Sequence, residues 1–126
     1  MDLNRMLEKC EQGQWKISDL DFSLTPRAMG EAEETAIVQY FTDMSGIELL
    51  AGALFREQGK RAKDPVIRRI FETFVADEAR HSAVAAKLAK HYDVHHYRTY
   101  TMNQAMVAFK PHFVNAVQFL TPEVAN

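Results

Sequence analysis

The chain has 126 residues, enough for one domain with a modest core. Its hydrophobic share of 47% argues against disorder. A net charge of −2, from 15 basic and 17 acidic residues well mixed along the chain, leaves no footprint for nucleic acid or an anionic membrane. The single cysteine, Cys10, excludes an internal disulfide and reads as an unreactive packed thiol, which makes a reducing, cytoplasmic compartment the default. The N-terminus, Met1 to Arg5, lacks the apolar run of a signal peptide, and no apolar run approaches the ~20 residues that span a bilayer.

In chain order, residues 2–12 predict a short helix with Leu3, Met6, Leu7 and Cys10 on one side, ended by Gly13. Trp15 to Leu24 alternates apolar and polar residues but has no second strand to pair with. It is expected as an extended, partly buried segment, so that residues 1–24 form an N-terminal arm. Thr25-Pro26 is a helix-start signal, with Gly30 as an interruption. Residues 31–60 are helical in pattern. Ile37, Phe41, Met44, Glu48, Ala51 and Phe55 recur at spacings of 4 and 3, a bundle-type seam with Glu48 as its one polar member.

Asp64-Pro65 starts the next helix as cap and first residue, over residues 65–92. Its seam is Ile67, Phe71, Phe74, Glu78, His81, Ala85, Leu88 and Tyr92, with Glu78 and His81 its only polar members. Arg68, Arg69, Glu72, Arg80, Lys87 and Lys90 make the solvated face. Residues 91–101 read as a loop, and His91, His95 and His96 as solvated residues that suit a helix C-terminus. A third helix is expected over 103–120, kinked or broken at Pro111. The fold class is therefore all-α, a single helical domain.

The connection between the two long helices is short, so they should pack antiparallel. Glu48 lies 12 residues before Lys60, and Glu78 and His81 lie 13 and 16 residues after Pro65. At ~1.5 Å per residue all three stand roughly 18 to 24 Å from the loop. Two carboxylates and an imidazole at one height on facing apolar seams are costly unless something pairs with them. Oxygen and imidazole donors of this kind suit iron, manganese or zinc. Phe41, Phe55, Phe71 and Phe74 are core residues first, and could wall a pocket beside the metal. Tyr40 and Tyr92 are read as core or interface residues.

Glu48 together with Asp77-Glu78-Ala79-Arg80-His81 resembles the first iron motif of the ferritin-like di-iron carboxylate superfamily. The run is similar to that of bacterial multicomponent monooxygenase hydroxylases, and more loosely to acyl-carrier-protein desaturases and arylamine N-oxygenases. The resemblance covers residues 31–92 and implies a ferritin-like four-helix bundle, or half of one. It implies a di-iron centre, with manganese as an alternative, in which Glu48 is a terminal carboxylate ligand, Glu78 a bridging one and His81 a terminal nitrogen ligand. Asp77 would accept the ring N–H of a histidine from the other half of the bundle, and Arg80 would pair with Asp77. The implied activity is an O2-activating oxidoreductase acting on a small organic or acyl substrate.

Only half of the motif is present, because no second Glu-x-x-His occurs in the 126 residues. The missing half is expected either from sequence beyond Asn126 or from a homodimer that completes the bundle. Two other functions compete: a ferroxidase or iron-storage protein, and a metal-free helical interaction module.

Overall fold

The computed structural model describes residues 2–105, 107 and 108. It is all-helical across them, with a short helix α1 (Leu3–Gln12) and two long helices α2 (Glu31–Arg61) and α3 (Pro65–Tyr92). No helix among the described residues is long and apolar enough to cross a membrane.

Local chemistry sets the helix ends. Asp2 caps α1 by accepting the Arg5 N–H at 3.1 Å. Asp64 accepts the Val66 N–H at 2.8 Å, and Pro65 takes the first helical position of α3. Lys60 and Arg61 close α2, and Lys90 and His91 close α3, where the helix dipole favours cations. The start of α2 differs from the Thr25-Pro26 signal: residues 25–30 are irregular and Gly30 is the cap. A helix begun at Pro26 would carry Gly30 in its interior, a loss of ~1 kcal/mol, whereas one begun at Glu31 places Glu31, Glu33 and Glu34 at the positive end of the dipole. The Trp15–Leu24 segment is irregular apart from one 3-10 turn at Ile17–Asp19.

Helices α2 and α3 form a tight antiparallel hairpin, with α1 laid on α3. Arg68 ties the hairpin loop by donating to the Ala62 carbonyl at 2.6 Å. The closest line of approach is not the large-residue seam. It runs through Ser45, Gly52 and Gly59 of α2. A Cβ built on Gly52 would stand 3.4 Å from the Glu78 Cβ, and one on Gly59 would stand 3.1 Å from the Phe71 Cβ. The Ser82 hydroxyl donates to the Ser45 carbonyl at 2.9 Å. Small residues let the backbones close up, and the aromatic seam is left along the rim. Phe41, Met44, Phe55, Phe71, Phe74, Leu88 and Tyr92 are all only half-buried.

After α3 the chain turns back along α2. The Thr101 carbonyl accepts from Gln39 at 2.9 Å, and the Asn103 N–H donates to Asp43 at 3.0 Å. The helix expected over 103–120 falls largely outside the described residues; Gln104, Ala105, Val107 and Ala108 are helical.

Candidate metal centre

Glu48 stands near the middle of α2, and Glu78 and His81 stand near the middle of α3. Gly52, one turn after Glu48, faces Glu78 where α2 and α3 run close together. One ligand-type atom from each lies within 4.8 Å of those of the other two, and no other such group of three occurs among the described residues. His81 Nδ1 is 3.7 Å from Glu48 Oε2 and 3.6 Å from Glu78 Oε2. Donors at ~2.1 Å from one ion stand about 3 to 3.5 Å apart, so a small side-chain adjustment brings all three onto a common cation.

The environment fits such an ion. The Glu48 and Glu78 side chains are 20% and 16% exposed, and that of His81 is 43% exposed. Glu78 Oε2 is buried with no hydrogen-bond partner among the described residues. Buried acceptors are rarely left in that state, and a cation is one remedy. Burial pushes the Glu78 carboxyl up to about 7, helped by the neighbouring Glu48 carboxyl and its charge, against a smaller opposing pull from His81. Two carboxylates this close cannot both ionise cheaply without a positive charge between them.

The N-terminal arm supports the trio from one side. Trp15 stacks on His81 with ring centroids 6.2 Å apart, and the Arg80 guanidinium lies 5.6 Å from the centre of the Trp15 ring. Gln14 donates to Asp77 Oδ1 at 3.0 Å, and Arg80 pairs with the same oxygen. The pairing of Arg80 with Asp77 is thus present. The Asp77 oxygen they share holds the arm in place, rather than a histidine of this chain. Nothing in the Trp15 region's spacing announced this role, because the segment is irregular and has no period to read.

A groove of about 200 Å³ adjoins Glu48 and His81, walled by Trp15, Phe41, Met44, Val84 and Leu88. A larger one of about 270 Å³ lies toward the hairpin loop, between Phe55 and Phe71. Its only acid is Glu72, which pairs with Arg69 at 3.1 Å, so it offers no comparable donor set.

A second polar cluster involves His95, whose side chain stays exposed as expected but carries a partner that the sequence did not announce. Glu34, only 1% exposed, accepts the His95 backbone N–H at 3.1 Å and meets the His95 ring Nδ1 at 2.8 Å. Burial pushes the Glu34 carboxyl up. The hydrogen bonds from His95, with the charges of His95 and His96, outweigh that and hold it below the usual carboxylate range. The next residue, His96, has a positive φ of 52°. His96 Nδ1 stands 3.0 Å from Asp93. The pair joins residues 61 apart and staples the segment after α3 to the start of α2. No family model, curated protein or solved structure matches the chain.

Proposed function

We propose that the Glu48–Glu78–His81 cluster binds iron, with manganese as the alternative ion, and that the protein is an O2-activating oxidoreductase of ferritin-like type. The observation that carries this reading is the convergence of the three donors around a buried, unpartnered Glu78 oxygen. When bound, iron would supply the redox chemistry with O2. The chain's own residues do the rest. Glu48 and Glu78 provide negative oxygen donors, His81 provides a nitrogen donor, and the Trp15 ring holds the imidazole plane. The apolar walls of the adjoining groove fit a small organic molecule or the end of an acyl chain.

That groove is what favours substrate oxidation over ferroxidase or storage activity, for which a polar iron path would serve better. Iron bound to the purified protein, and lost in Glu78→Ala and His81→Ala variants, is the expected result. Oxygen uptake should then depend on an added organic reductant or substrate. Protein that remains folded and takes up no iron on loading would refute the reading. A cage-sized particle in light scattering, with O2 consumed by Fe(II) alone, would replace it with the ferroxidase. A metal-free interaction module would instead be stabilised by Glu48→Leu or Glu78→Leu and would show no response to metal.

A further inference from the structure

We infer that a second copy of this chain completes the metal site, packing its hairpin face on the first about a twofold axis so that each copy contributes Glu48, Glu78 and His81. This rests on the metal reading above and names the partner of that site. Three donor side chains leave half of an octahedral ion's positions open. A second copy supplies the same three donors again.

The position of the ligands fits a twofold arrangement. The midpoint of α3 falls at Glu78, and Glu48 lies two residues past the midpoint of α2. An axis beside the trio therefore overlays two hairpins along their full length, where ligands near one end would overlay only half. The face is also of the right size. Helices of about 28 residues are ~42 Å long, and two side by side are roughly 20 Å wide, so each copy offers on the order of 800 Å², the share of one partner in a stable interface. It is apolar on both sides of the ligands. Phe41 and Met44 with Leu88 flank them on one side, Phe55 with Phe71 and Phe74 on the other, and all are half-exposed in the single chain. Such a contact is self-complementary and yields a four-helix core with its ligands inside.

The test uses the full chain with Mn(II) as the probe, read by sedimentation and by electron paramagnetic resonance. The loaded protein is expected to sediment at twice 14.4 kDa with one manganese per chain, and to give the spectrum of an exchange-coupled pair. Ala51→Arg places a cation on the same face one turn from Glu48. It should leave the helical circular dichroism intact, yield a monomer, and weaken Mn(II) binding about tenfold or more. A loaded monomer would overturn the second copy while leaving metal binding in place. A dimer with an isolated six-line Mn(II) signal, or an Ala51→Arg protein that keeps the coupled spectrum, would overturn it too. Wild-type protein that binds no Mn(II) would remove both this inference and the reading beneath it.

Discussion

Replacing Glu78 by Gln in the metal-free protein isolates the electrostatic load at the site. The Glu78 carboxyl is raised from 4.5 to about 7 in the folded chain, chiefly by burial and then by Glu48. A raised carboxyl binds its proton more tightly when folded than when unfolded. Its contribution to stability is therefore fully present below pH 4.5 and is lost as the pH climbs through about 7. A shift of this size corresponds to about 3 kcal/mol. For a chain of this length that is roughly 10 °C in Tm.

Thermal melts followed at 222 nm in chelator should show the wild type losing most of this stability between pH 5 and pH 8. Glu78→Gln, which cannot ionise, should match the wild type at pH 5 and exceed it by up to about 3 kcal/mol at pH 8. Adding Mn(II) at 100 times its Kd should stabilise the wild type by about 2.7 kcal/mol and the variant hardly at all. Equal pH dependence in the two proteins would refute the electrostatic argument. Equal stabilisation of both by metal would refute the assignment of Glu78 as a ligand.

Three further outcomes are expected. Gly52→Ala should stabilise the fold by up to ~1 kcal/mol, since its Cβ meets Glu78 at ordinary contact distance and a helical glycine is replaced; Gly59→Ala should gain less, because its Cβ presses on Phe71 at 3.1 Å. Urea unfolding of the two proteins checks the difference. Trp15→Ala should destabilise the docked arm by about 1 kcal/mol through loss of the His81 stack and the Arg80 contact. In the wild type, metal binding should change the emission of this single tryptophan, and in His81→Ala it should not. His95→Ala should move the acid-unfolding midpoint to higher pH. The lowered Glu34 carboxyl contributes stability above its unfolded value and loses it as pH falls, and His95 is what lowers it. Glu34→Gln in the same background should restore a flat acid limb.

The two long helices and the meeting of Glu48, Glu78 and His81 were legible because both rest on local rules. Asp64-Pro65 marks a boundary by cap and ring chemistry, and a short antiparallel loop converts sequence distance into height. The line of closest packing was not legible, because Gly52 and Gly59 carry no side chain and are invisible to a search for hydrophobic period. Gly59 lies inside α2, which ends at Arg61, one residue beyond the expected 31–60. The Thr25-Pro26 signal failed because a cap needs a helix able to follow it. Glu34 with His95, and Gln14 with Asp77, depend on where an irregular segment lands after a chain reversal. Those partners are 61 and 63 residues apart, and no spacing rule reaches across such loops.

The same packing that hides the core accounts for the strain at the site. Gly52 faces Glu78 where α2 and α3 run close together, at a distance that leaves room for no more than a methyl group. That close approach brings Glu48 against Glu78, and burial in the groove, with Glu48 beside it, raises the Glu78 carboxyl. A hairpin selected only for stability would relieve this with leucine at either position, which completes the apolar seam and removes a buried charge. Retaining both acids beside His81, at the midpoint of the face and flanked by aromatic residues, makes the metal-free state the strained one at neutral pH. A cation reverses the sign of that interaction, turning repulsion between carboxylates into shared attraction. The open face around the ligands then becomes the surface whose burial would dry the site and strengthen it further.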